Sequence, residues 1–169
     1  SRYILMLETL FLVHMRPAWS VNIGKRVVKS PKIFFIDTGL ACHLTGINHS
    51  RLADDRGAAG SLLENFVVSE LLKQASWSLL PVDLYHFRSQ TGQEVDIIIE
   101  DNAGRIVGIE VKCSATPTPK HFNGLKLLQD SLEDRFIRGV LLYNGPDCIP
   151  FGSKLCALPV NSLWHEWSI

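Results

Sequence analysis

The sequence predicts an α/β fold, with core elements in the order αβββαβ behind a smaller N-terminal unit. Three observations carry that expectation. Residues 62–76 have a helical pattern of apolar positions. Two runs of alternating, β-branched residues, 94–100 and 105–112, flank the turn Asp101-Asn-Ala-Gly104 and read as a hairpin. A second helical pattern, 120–132, leads into the apolar strand 139–143.

Taken in order, residues 2–11 have helical spacing and 12–19 read as extended. Residues 21–30 form a polar, Gly-bearing connection that ends at Pro31. A short buried strand, 33–36, is followed by Asp37, which caps helix 38–44. The stretch 48–60, rich in Asp, Arg, Ala and Gly, reads as a linker between a unit at 1–47 and a domain at 61–169. In helix 62–76 the polar stripe is Asn65, Ser69 and Lys73, at i, i+4 and i+8. Strand 84–88 precedes the hairpin. The turn 145–152 then leads to a last strand, 154–158, and a short helical tail, 161–167.

If the hairpin turn centres near Ala103, Asp96 lies across from Glu110 and Glu94 across from Lys112. The opposite face is then apolar, with Val95, Ile97 and Ile99 against Val107, Ile109 and Val111. Carboxylates facing each other on a sheet have Cβ atoms roughly 4.5–5.5 Å apart and repel. A divalent cation turns that repulsion into a binding site, and Mg²⁺ takes hard oxygen ligands while keeping waters for chemistry. Lys112 projects from the same face, where an ammonium orients a water or stabilises charge on a phosphate. An ordinary half-exposed hairpin also has a polar face, with Glu94 and Lys112 as a cross-strand pair.

Glu64 offers a similar choice. It lies off the polar stripe, beside Val67, Val68 and Leu71, where a carboxylate needs a partner or a metal. Equally, Ser61-x-x-Glu64 fits a capping box at a helix start.

A helical Glu, a strand Asp and a Glu-x-Lys on the next strand resemble the PD-(D/E)xK nuclease superfamily, at Glu64, Asp96, Glu110 and Lys112. Where the superfamily name has Pro-Asp, this chain has Val95-Asp96. Four motifs in order are similar to a more specific group. They are Lys29-Ser-Pro-Lys-Ile-Phe-Phe-Ile-Asp-Thr-Gly-Leu40, Leu63-Glu-Asn-Phe-Val-Val-Ser-Glu-Leu71, Phe87-Arg88 with Gly92-Gln-Glu-Val-Asp96, and Ile109-Glu-Val-Lys112. Together they resemble the C-terminal domain of unknown function of prokaryotic AAA+-type ATPases.

The resemblance implies a restriction-endonuclease-like αβββαβ core; the N-terminal unit resembles a small winged-helix-like subdomain. It implies that Glu64, Asp96 and Glu110 hold Mg²⁺ or Mn²⁺, and that Asp96, Glu110 and Lys112 are catalytic, Lys112 assisting the attacking water. The implied activity is a metal-dependent DNA phosphodiesterase, built as a module of a larger ATPase. The alternative is a non-catalytic domain that binds DNA or a partner protein and regulates that ATPase. A purely structural dimerisation domain is a third reading, if Trp164 and Trp167 form an exposed apolar patch.

The formal net charge is zero, so no global field draws the chain onto nucleic acid. Lys25, Arg26, Lys29 and Lys32 cluster locally, either gripping phosphates or forming a solvated cationic turn. Arg88 has two fates, a phosphate contact or pairing with Glu94. At 169 residues and 46% hydrophobic, the chain can bury a sizeable core. Its apolar runs fall well short of the ~20 residues of a membrane span. The opening residues carry Glu8 and no small-residue cleavage site, which speaks against a signal peptide, and they read as the interior of a helix in a longer protein. Four cysteines without paired spacing fit a reduced, cytoplasmic setting rather than a zinc site or disulfides. No Gly-x-x-x-x-Gly-Lys-Ser/Thr loop is present, so the chain is not itself a phosphate-loop ATPase. The six histidines lack ligand spacing.

Overall fold

The computed structural model describes residues 2–22, 24, 26 and 30–165. The chain opens with α1 (Arg2–Thr9), then β1 (Val13–Arg16) and β2 (Lys32–Phe35), which pair as a two-stranded antiparallel sheet. Helices α2 (Thr38–Thr45), α3 (His49–Asp54) and α4 (Arg56–Trp77) follow. A six-stranded mixed sheet comes next, from β3 (Val82–Arg88), β4 (Glu94–Asp101), β5 (Ile106–Lys112), β6 (Phe136–Tyr143), β7 (Ile149–Pro150) and β8 (Leu155–Pro159). Its spatial order is β3-β4-β5-β6-β8-β7. The pairs β3–β4 and β4–β5 are antiparallel, whereas β5–β6 and β6–β8 are parallel. A parallel pair needs a crossover, and α5 (Asn123–Leu132) supplies it between β5 and β6.

The two helices cover opposite faces. Leu125, Leu128 and Leu132 of α5 pack with Val95, Ile98, Ile106 and Phe136. Val67, Val68 and Leu71 of α4 pack with Ile97, Ile109, Val111 and Leu142. Burial of each large aliphatic side chain in these layers contributes about 1.5–3 kcal/mol. No helix among the described residues is long and apolar enough to cross a membrane.

Several expectations change. The stretch 48–60 is largely helical where the sequence suggested loop. Asn48 caps α3 by accepting the Arg51 N–H, and Asp55 caps α4 by accepting the Ala58 N–H at 2.9 Å. These Asn and Asp residues resemble loop formers in sequence because good helix caps and loop residues are the same types. With α4 starting at Arg56, Glu64 stands in its third turn, and the capping box at Ser61 does not form.

The polar stripe of α4 has a packing role. Asn65 and Ser69 are buried. Asn65 accepts the Phe35 N–H at 2.7 Å and donates to the Phe35 carbonyl at 2.9 Å, while the Ser69 hydroxyl donates to that same carbonyl at 3.2 Å. These bonds clamp the end of β2 onto α4. At Trp164, half exposed, the ring packs on Phe66 with centroids 5.7 Å apart and its N–H donates to Glu70. It is thus partnered within the chain; Trp167 lies outside the described residues.

The strands β4 and β5 pair in the expected register, with Ile97 opposite Ile109 and Ile99 opposite Val107. Gly104, at φ +74°, makes the positive-φ bend of the turn, and Asp101 accepts the Ala103 and Arg105 N–H groups. Against β3, however, β4 slips by one residue: Tyr85 faces Ile98, yet Phe87 faces Val95. The extra residue is a bulge at Asp96–Ile97. It sends Val95 to the α5 side, while Ile97 stays on the α4 side, so the expected apolar face is not continuous.

Close approach of α5 to this bulge depends on Gly124, where an added Cβ would lie 2.1 Å from the Glu94 carbonyl oxygen and 2.9 Å from Val95 Cγ2. Gly124→Ala is therefore expected to lower stability by about 1–3 kcal/mol or more, read as a lower urea midpoint. An unchanged midpoint would mean that α5 has room to move off β4.

Candidate active site

Charged residues from four elements meet at one end of the hairpin. Lys32 opens β2, Glu64 comes from α4, Asp96 from the bulge of β4, and Glu110 and Lys112 from the end of β5. Lys32 Nζ lies 2.9 Å from Glu64 Oε1 and 3.8 Å from Asp96 Oδ1. Lys112 Nζ lies 2.5 Å from Glu110 Oε1 and 3.9 Å from Asp96 Oδ2. Three carboxylates and two ammonium groups thus interleave, leaving one net negative charge. Asp96 is the hinge of the set, touching both lysines. Its Oδ2 also accepts the Val111 N–H at 2.9 Å, so a side chain continues the β4–β5 ladder where the bulge interrupts it.

Asp96 and Glu110 are each only 9% exposed, so their charges act through little water. Burial, and next the charge of Asp96, hold the Glu64 carboxyl above its ordinary range, and Lys32 only partly opposes this. Burial and then Asp96 push Glu110 further, up to about 7, with Lys112 opposing. Burial alone would lower both lysines. The carboxylates outweigh it, Glu64 foremost for Lys32 and Glu110 for Lys112, and both ammonium groups are held more firmly than usual. Glu110 Oε2 is buried with no hydrogen-bond partner.

Beside the cluster opens a polar cleft of about 310 Å³, lined by Arg56, Ser61, Glu64, Asp96, Lys112 and His121 among others. His121 sits in the 3₁₀ turn Pro119–Phe122 ahead of α5, and its Nδ1 accepts the Thr118 N–H at 3.3 Å. Sequence reasoning did not single out Arg56 or His121, and it counted Lys32 only within a basic cluster. Nothing in their spacing signals the cleft, because they come from separate elements. For Lys32 alone a local cue exists: a lysine opening a four-residue strand that is otherwise apolar.

Glu64, Asp96, Glu110 and Lys112 come together. Of the residues assigned to nucleic acid, Arg26 and Arg88 are described, and neither joins them. Arg26 is held by both oxygens of Glu100, with Nη2 at 3.0 Å from Oε1, donates from Nε to the Ser20 carbonyl at 2.7 Å, and lies over the rings of Trp19 and Tyr85. A guanidinium so engaged ties the N-terminal connection to β4. Arg88 takes the pairing with Glu94, Nε to Oε1 at 3.2 Å. Lys25 lies outside the described residues, as does Lys29. Among the described residues, no three His, Cys, Asp or Glu side chains are already gathered at metal-holding distance.

A family model described as a domain of unknown function, DUF4143, matches residues 59–163, and a second such model, DUF8612, matches residues 1–51. Uncharacterised proteins of Mycobacterium bovis and Mycobacterium tuberculosis are each 34% identical over 99% of this chain. The chain spans about a third of their length, 36% in each case. No solved structure matches.

The raised Glu110 carboxyl sets a pH dependence. Its proton is held more tightly folded than unfolded, so folding is least penalised below the ordinary value of 4.5 and loses stability as pH rises towards about 7. Glu110→Gln removes that ionisation. The difference in unfolding free energy between pH 5 and pH 8, without divalent cation, is expected to shrink in the variant. An equal or larger difference would show that Glu110 ionises freely in the fold.

Proposed function

The chain belongs to the DUF4143 family, a C-terminal domain of AAA-type ATPases, and we propose that it is a metal-dependent DNA phosphodiesterase of the PD-(D/E)xK type. The order α4-β3-β4-β5-α5-β6 supports a restriction-endonuclease-like core. One observation carries the reading: Asp96 lies within 4 Å of two lysines that each also hold another acid, Glu64 on one side and Glu110 on the other.

The residues fit Mg²⁺ or Mn²⁺. Their donors are hard oxygens, Glu110 Oε2 has no partner, and positive charge already stands between the acids. Glu64, Asp96 and Glu110 would hold the ion. When bound, it would polarise a phosphoryl oxygen and acidify a water. Lys112 stays protonated, because its carboxylate neighbours hold its proton; it therefore acts as a donor that orients water and stabilises phosphate charge, not as a base. Arg56 and His121 on the same cleft offer further donors to a phosphate. Because Glu110 takes up a proton readily, loading the site releases that proton and tightens as pH rises through about 7.

A second reading has its own support. Lys32 and Lys112 already balance two of the three negative charges, so the cluster can persist without an ion, as in an interaction domain that regulates an attached ATPase. The experiment is Mn²⁺-dependent cleavage of linear and branched DNA by the wild type, Asp96→Ala and Lys112→Ala. Each substitution is expected to slow cleavage by about 100-fold or more. Cleavage untouched by Asp96→Ala overturns the proposal; DNA binding without any cleavage by the wild type favours the second reading.

A further inference from the structure

Lys32 is the one member of the charged cluster that comes from outside the six-stranded sheet and α4. Its ammonium bridges Glu64 and Asp96, where a divalent ion held by those two acids would lie. Both cannot occupy that space, since a metal about 2.0–2.1 Å from those carboxylate oxygens excludes an ammonium 2.9 Å from Glu64 Oε1 and 3.8 Å from Asp96 Oδ1. We propose that Lys32 is a resident counter-ion that competes with the divalent cation, so that loading the site requires the Lys32 side chain to swing out. The inference rests on the metal reading above and adds what regulates that site.

The geometry around Lys32 supports an exchange rather than a fixed pair. Its strand is anchored to α4. Three residues on, Phe35 is pinned to α4 through Asn65 and Ser69. The side chain has somewhere to go. Lys32 also lines a cavity of about 480 Å³ with Ser30, Arg88 and Glu94, a cavity that Glu64 does not line. Glu94 already contributes to holding the Lys32 charge and offers a second carboxylate to receive the ammonium. The lysine is 30% exposed, so the swing does not strand a charge in the core. The N-terminal two-stranded sheet, which carries Lys32, is thereby linked to occupancy of the site: whatever shifts β2 alters how easily an ion enters.

The test is calorimetric titration of Mn²⁺ into the full chain, for the wild type, Lys32→Met, Lys32→Arg and Asp96→Ala. Lys32→Met is expected to bind Mn²⁺ about tenfold more tightly than the wild type, the gain from removing one competing half-buried pair. Lys32→Arg keeps the charge and adds a two-pronged grip on carboxylates, so it is expected to bind no more tightly than the wild type. Equal affinity of Lys32→Met and the wild type overturns the proposal while leaving the metal site standing. Weaker binding by Lys32→Met also overturns it, by showing that Lys32 positions the acids for the ion. If Asp96→Ala binds Mn²⁺ as the wild type does, the metal reading itself fails and takes this inference with it.

Discussion

The extra residue in β4 at Asp96–Ile97 decides which side chains meet at the end of the hairpin. Counting back from Ile98, which faces α5, and Ile97, which faces α4, regular alternation would turn Asp96 towards α5. There its carboxylate would enter the apolar layer of Leu125 and Phe122, at a cost of several kcal/mol. The bulge exchanges the two neighbours. Val95 fills the α5 side, and Asp96 turns to Glu64 and Lys32. A one-residue slip in a ladder thus converts an acid on a hairpin into the centre of a charge cluster.

That cluster joins parts of the chain that are far apart in sequence. Lys32, Glu64 and Asp96 come from β2, α4 and β4, and Lys112 from β5, across the hairpin turn from Asp96. Isolated surface pairs stabilise little, and buried ones are offset by desolvation. The arrangement is better understood as a poised charge distribution than as a source of stability. Burial, and then the nearness of Asp96, raises two of its carboxyls. The clamp of Asn65 and Ser69 on Phe35 keeps β2 in reach of it.

The core order and the hairpin register were legible because both depend on local signals. Periodicity marks α4 and α5, and the Asn- and Gly-bearing turn aligns Ile97 with Ile109. The meeting of Asp96, Glu110 and Lys112 followed from the hairpin spacing, and the addition of Glu64 to them from motif resemblance. What stayed hidden lacks a local code. The bulge carries no Gly or Pro of its own to mark it. The role of Asn65 and Ser69 stayed hidden because polarity in a helix does not distinguish water from a strand-end carbonyl. Asn48 and Asp55 read as linker because capping residues and loop residues coincide. Arg26 looked available for phosphates because its partner, Glu100, lies seventy-four positions away. Lys32 entered the site for the same reason, by a contact thirty-two positions distant.

The central claim is that the acids around Asp96 form a cation site in which an ammonium stands for the ion. Anomalous diffraction from crystals soaked in Mn²⁺ addresses it most directly. The account predicts a single peak within coordinating distance of Glu64 and Asp96, with the Lys32 side chain moved towards Glu94. No peak at saturating Mn²⁺, with Lys32 still bridging the two carboxylates, would contradict it.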